Sequence, residues 1–309
     1  MTKPLVVVVL GPTASGKTTL GIEIAEKLGG EIVSADSMQI YENMNIATAK
    51  PTPQELARAP HHLVGFLPMG EKFSVAKYKE KALCAIDDII ARGKLPIVVG
   101  GTGFYIDTLV KNTEFFDYEE NNVREELEAE CDEKGIGLLF EELKRVDPKT
   151  ADRLHINDTK RIIRALEVYR LTGKTISEQD ESSHTVESKY RWCLIGLKAQ
   201  ERQYLYDRIN LRVDMMLDEG LLQEARDFFN SEVSATAAQA IGYKELKPYI
   251  DGFATLDEVV EKLKMESRRY AKRQLTWFRR NPDINWLDID ILKGNELVES
   301  ACKIINDER

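Results

Sequence analysis

Eight residues, Gly11-Pro12-Thr13-Ala14-Ser15-Gly16-Lys17-Thr18, follow the pattern G-x-x-x-x-G-K-[ST], a loop whose backbone N–H groups cradle two linked phosphates. Lys17 would reach those phosphates as a point charge, and the Thr18 hydroxyl would hold a Mg²⁺ ion. The competing reading is a glycine-rich turn that binds nothing. Context decides between them. The valine-rich run Leu5 to Leu10 before the loop predicts a fully buried strand. Behind it, Lys17 to Leu28 predicts a helix with Leu20, Ile24, Ala25 and Leu28 on one face, stopped by Gly29-Gly30. Strand, loop and helix together are what an anion site needs, and the helix N-terminus adds partial positive charge.

Other residues could complete that chemistry. Asp36 stands one residue past a second apolar strand, Ile32 to Ala35, and three readings compete for it: metal ligand, general base or helix N-cap. An NTP-driven motor needs a strand-end acid plus a water-positioning residue, and only one acid is evident. Arg208 and Arg212, four apart on a helix after a later strand, are either an anion clamp or partners of Glu201, Asp207 or Glu219. Lys160, Arg161 and Arg164 share one helical arc without an acid in it, which suits phosphate contact as well as plain solvation. Arg268, Arg269, Lys272, Arg273, Arg279 and Arg280 crowd the last long helix among Tyr270, Trp277 and Phe278. The aromatics read as core, and the cations as the footprint of a polyanion.

The elements that position these groups alternate strand and helix. A helix over Phe73 to Arg92 leads to a strand, Leu95 to Val99, ending in Gly100-Gly101-Thr102-Gly103. Met38 to Lys72 reads as one long connection carrying four prolines and His61-His62. This predicts an α/β fold, a P-loop NTPase-like parallel sheet flanked by helices, with ligands beyond the carboxyl ends of the strands. From about Thr113 the pattern turns helical until Ser188, giving a helical insertion (113–188) within a catalytic core (1–112 and 189–309). The sheet resumes at Trp192 to Leu197. Helices follow at Glu201 to Asp218, Leu221 to Asn230, Ala237 to Tyr249 and Leu256 to Arg280, then a strand at Ile284 to Leu287.

Composition narrows the class. The 309 residues are 43% hydrophobic and 31% charged, which fits an ordinary globular protein. The four cysteines are scattered and suit reduced thiols in the cytoplasm, and the four histidines lack zinc spacing. No apolar run is long enough to span a membrane, and the N-terminus is too short for a signal peptide before the loop begins. The net charge of −9 is unevenly spread. Lys262 to Arg280 holds eight basic residues and one acid, whereas Asp117 to Asp147 holds twelve acids and four bases. A basic face on an acidic protein follows.

The chain closely resembles the tRNA dimethylallyltransferases over essentially its whole length. The resemblance is carried by Gly11–Thr18, Asp36–Tyr41, Ala49–Pro51, His61–Leu63, Gly100–Tyr105, Asn157–Glu167, Gln239–Lys244 and Arg268–Trp277 in this order. It implies that dimethylallyl diphosphate lies in the phosphate loop, with Mg²⁺ on Thr18. Its prenyl group would pass to the N6 amine of adenosine 37 in tRNAs reading codons that begin with U. Lys17, Thr18, the loop amides, Arg208 and Arg212 would stabilise the departing diphosphate, and Asp36 would take the amine proton. The resemblance places tRNA contacts, at the anticodon stem-loop, on Asp36, Ser37, Met38, Gln39, Thr102, Arg124, Lys160, Arg161, Ile162, Ile163, Arg164, Gln239, Gly242, Tyr243 and Lys244. Arg268 and Lys272 join them from the basic helix. Such an enzyme is expected to be a cytoplasmic monomer without a membrane association. One departure is visible: Val64-Gly65 stands where the family commonly has Ile-Asp. The alternatives are a P-loop kinase of a nucleotide or small metabolite, a prenyltransferase of free AMP or ADP, and a non-catalytic RNA-binding module.

Overall fold

A single parallel sheet carries the phosphate loop at its centre. In the computed structural model, which describes residues 3–115, 122–183 and 187–309, six strands run in the order β3-β2-β4-β1-β5-β6. They are β1 (Leu5–Leu10), β2 (Gly30–Ser34), β3 (His61–His62), β4 (Leu95–Gly100), β5 (Arg191–Lys198) and β6 (Asn285–Asp288), and every pairing is parallel. The buried run Val6 to Leu10 puts β1 between β4 and β5, as expected of a strand covered on both faces.

The crossovers are α1 (Lys17–Leu28), α2 (Pro53–Arg58), α3 (Val75–Ala91) and α4 (Gly103–Val110). Alternate sheet residues Val7, Val9, Ile97, Val99, Ile195 and Leu197 pack with Leu20 and Ile24 of α1 in one core. After the insertion helices α5 (Val123–Lys134), α6 (Ile136–Val146), α7 (Pro148–Ala151), α8 (Thr159–Thr172) and α9 (Ile176–Ser183), the core resumes with α10 (Arg202–Asp218) and α11 (Leu221–Phe229). Then come α12 (Lys247–Ile250), α13 (Leu256–Phe278) and α14 (Asn295–Asp307). Thr255 and Glu258 cap α13 reciprocally, which fixes where this longest helix starts. The chain divides into two compact units, Met1–Leu109 with Lys189–Arg309, and Val110–Ser188. Among the described residues no helix is long and apolar enough to cross a membrane.

Three expectations need correction. The connection 38–72 is not one loop: Thr52 caps α2, and His61–His62 pair with Ile32 and Val33 as the sheet's edge strand. Ala237 to Tyr249 is not one helix but a 3-10 turn, Ala237–Gln239, a bend at Gly242 and the short α12. Gly242 takes φ +118, and Pro248 can sit only in the first turn of α12. Finally, α14 went unread, although Val298, Ala301 and Ile305 have helical spacing and complete the core beside α1.

Within the insertion, Leu127, Leu139, Leu143, Ile162, Ile163 and Leu166 form a separate core. Ile162 and Ile163 were expected to touch RNA, but their side chains are buried in that core and cannot supply the contact. Asp117, Glu119 and Glu120 of the acidic run and His184 lie outside the described residues.

Candidate active site

Between the phosphate loop, the turn after β2, and helices α10 and α13 lies a cavity of about 310 Å³. One end is cationic. Lys17, Thr18 and Arg212 line it, and the Lys17 ammonium donates to the Pro12 carbonyl at 2.6 Å. Arg208 donates its Nε–H to the Ala14 carbonyl at 2.8 Å, so α10 braces the loop from outside. Among the described residues neither arginine forms a close ion pair with Glu201, Asp207 or Glu219, although the charge of Glu219 reaches Arg212. Burial, then the charge of Arg212, lowers the Lys17 pKa to about 7, against an opposing pull from Asp36. Arg212 is itself held below its usual range by burial. Two cations forced together away from water form a site that gains by receiving an anion.

Asp36 lines the same cavity. Its Oδ1 accepts from the backbone N–H groups of Met38 (2.9 Å) and Gln39 (3.3 Å). The capping role and the chemical role are therefore compatible. Oδ1 fixes the rotamer, and Oδ2 takes no part in those bonds. The Ser37 N–H donates to Thr102 Oγ1 at 3.0 Å, and Thr102 donates on to Ser37 Oγ at 3.3 Å. That ties the turn after β2 to the loop after β4.

Part of the remaining wall is apolar, with Ile209, Val213, Met216 and Leu263 among its residues. Its outer side is held by Glu224. That carboxylate accepts from the N–H groups of Asn45 (2.9 Å), Ile46 (2.8 Å) and Ala47 (2.9 Å), and from the Tyr243 hydroxyl at 2.9 Å. Gln39 donates both Nε2 hydrogens to the carbonyls of Thr48 (3.2 Å) and Ala49 (3.0 Å). Replacing Glu224 with alanine strands three amides and a phenol, each unpaired donor costing about 1–3 kcal/mol where water cannot reach it. Since Glu224 is only half-buried, Glu224→Ala is expected to lose about 2 kcal/mol of stability in urea titration at an unchanged m-value.

The expected RNA-binding residues divide. Ser37, Met38, Gln39, Gln239, Gly242 and Lys244 line the cavity with Asp36. Gln39 spends its amide N–H groups on the wall, and Tyr243 is buried against Phe228, so neither offers those groups to a ligand. Arg268 turns inward and donates to Asn210 at 2.6 Å, while Lys272 is exposed. In the insertion Lys160 and Arg161 are exposed, with Asp158 3.8 Å from Arg161. The arc of α8 is less purely cationic than its spacing suggested, because Glu167 reaches Arg164 at 2.9 Å and Arg124 at 3.6 Å. Gln274, Tyr270 and Ser267 also line the cavity, and sequence reasoning missed all three. A glutamine on the apolar face of an amphipathic helix was the available signal.

A G-x-x-x-x-G-K-T loop at the centre of a parallel sheet, opening into a cavity that Asp36 also lines, marks a P-loop NTPase-like fold. A family model described as IPP transferase matches residues 39–281, and one described as Isopentenyl transferase matches residues 4–63. A tRNA dimethylallyltransferase of Acetivibrio thermocellus is 48% identical over 96% of both chains. One of Geobacillus thermodenitrificans is 50% identical over 92% of this chain and 90% of its own. The crystal structure of a tRNA isopentenylpyrophosphate transferase from Staphylococcus epidermidis superposes with a TM-score of 0.72 at 41% identity, covering 99% and 100% of the two chains. A eukaryotic dimethylallyltransferase caught acting on tRNA gives 0.86 at 31% identity over 99% of this chain and 79% of its own. The chain belongs to the IPP transferase family, that of the tRNA dimethylallyltransferases.

Proposed function

We propose that this tRNA prenyltransferase moves a dimethylallyl group from dimethylallyl diphosphate to N6 of adenosine 37, in tRNAs reading codons that begin with U, and releases diphosphate. The observation that carries this reading is one cavity lined by Lys17, Thr18 and Arg212 at one end, by Asp36, and by an apolar stretch of Ile209, Val213, Met216 and Leu263.

In the reaction the allylic C1–O bond breaks and its electron pair leaves with the diphosphate, while the N6 lone pair forms the new C–N bond. The loop amides, Lys17 and Arg212 stabilise the charge that develops on the leaving group. N6, conjugated to the ring, is a weak nucleophile until its proton departs, and Asp36 Oδ2 receives that proton. The buried position of the loop requires the target base to leave its stack and enter the cavity.

The residues present fit a Mg²⁺ ion. Thr18 lines the cavity and the buried Ser15 Oγ has no partner among the described residues. Mg²⁺ needs few protein ligands when phosphate oxygens and waters complete its shell. Thr18 would hold it, and when bound it neutralises charge on the leaving diphosphate. On this reading the enzyme is a monomer that works in the cytoplasm, where tRNA is found.

The test is incubation with unmodified tRNA, Mg²⁺ and labelled dimethylallyl diphosphate. Label on the adenosine 3′ of the anticodon, with release of diphosphate, is the expected result. Phosphate transfer from ATP to a small acceptor, with unlabelled tRNA, would instead identify a kinase.

A further inference from the structure

One buried side chain joins the two halves of the cavity. On α13, Leu263, Ser267, Tyr270 and Gln274 recur at helical spacing and line it together. Gln274 is the innermost polar group of that stripe, 6% exposed. Its Oε1 accepts from the Thr13 N–H at 2.8 Å, and its Nε2 donates to the Gly101 carbonyl at 2.9 Å. Thr13 belongs to the phosphate loop. Gly101 belongs to the loop after β4, whose next residue, Thr102, holds Ser37 beside Asp36. Tyr270 faces both Thr102 and Gln274. A Cβ on residue 101 would lie 2.3 Å from Gln274 Nε2, so the approach requires glycine there. Buried amides with both ends satisfied hold a single orientation.

We propose that Gln274 is a positioning residue that sets the separation between the phosphate loop and the Asp36 turn, and thereby between the donor carbon and the acceptor amine. Its two partners are backbone groups of the two loops that hold the reactants. In-line displacement tolerates little misplacement, and an error of about 1 Å costs roughly 100-fold in rate. The proposal rests on the prenyl-transfer reading, and its test keeps the two apart.

Gln274→Met keeps the volume and removes both hydrogen bonds. Its kcat is expected to fall about 100-fold, with the KM for dimethylallyl diphosphate and the Kd for tRNA each within about threefold of wild type. Gln274→Glu keeps an acceptor for Thr13 but sets a carboxylate against the Gly101 carbonyl. Protonating that carboxyl supplies a donor again, so the kcat of this variant relative to wild type should recover as pH falls. Should the Met variant not fold, the pH profile of the Glu variant decides alone. A Met variant within threefold of wild-type kcat overturns the inference. So does a loss expressed wholly as weaker binding, or a Glu variant whose relative kcat is flat with pH. A wild-type enzyme that transfers no prenyl group overturns the underlying reading and takes this inference with it.

Discussion

Asp36→Asn is expected to lower kcat about 1,000-fold while the Kd for tRNA stays within about threefold, because one oxygen of that carboxylate holds the turn and, in the proposed reaction, the other takes the proton. A positioned general base contributes about 10²–10⁴ in rate. Asparagine preserves the first job, since its Oδ1 can accept from Met38 and Gln39 as Asp36 Oδ1 does at 2.9 and 3.3 Å. It cannot do the second, having no lone pair on Nδ2 for the amine proton. Asp36→Ala loses both jobs, so it should lose the same rate and stability besides. The pair of variants separates chemistry from folding. Single-turnover measurements with saturating tRNA and donor give the rate of the chemical step, and equilibrium titration gives the Kd. Turnover of the Asn variant within tenfold of wild type would show that the proton leaves by another route.

The same residue shows how far the sequence alone could be read. Its place past an apolar strand beside the phosphate loop was enough to nominate Asp36, because strand ends in parallel sheets gather at one edge. Sequence left open whether it was base, ligand or cap, and the geometry supplies the cap through Oδ1 while leaving Oδ2 out of those bonds. Gly11 to Thr18 was legible for a related reason: the local backbone conformation that cradles phosphate dictates its own residue types. Gln274 was not legible. Its partners are 261 and 173 residues away along the chain, and no local pattern encodes an amide that reaches two distant backbone groups. His61–His62 failed differently. Two residues carry no readable period, and only pairing with Ile32 and Val33 makes them a strand. On α8 the arc of cations was correctly placed, but spacing along one helix could not show Arg124 of α5 arriving beside Glu167. For Arg268, spacing along the basic run could not show that one guanidinium N–H donates to Asn210 of α10.

The second large effect concerns Lys17. Replacing it with methionine should cost about 1,000-fold in kcat, since removing one group that stabilises a developing anion typically costs about 10²–10³ and here the group also sits under the charge of Arg212. The sharper expectation is a proton. With its pKa lowered to about 7 by burial and by Arg212, Lys17 is largely neutral in the free enzyme at pH 8. A diphosphate beside it favours the charged form, so the pKa rises on binding. The sign follows by linkage: below pH 7 the lysine is already charged and binding takes up nothing through it. Above pH 7 binding must collect nearly one proton, and affinity falls about tenfold per pH unit until the raised pKa of the complex is reached. Calorimetric titration of dimethylallyl diphosphate at pH 8, in buffers of different ionisation enthalpy, reads that uptake directly. The Met variant supplies the correction for protons taken up or released by the ligand itself. Equal uptake in wild type and Lys17→Met would mean that the lysine carries its charge before the donor arrives, and that burial among cations does not weaken it.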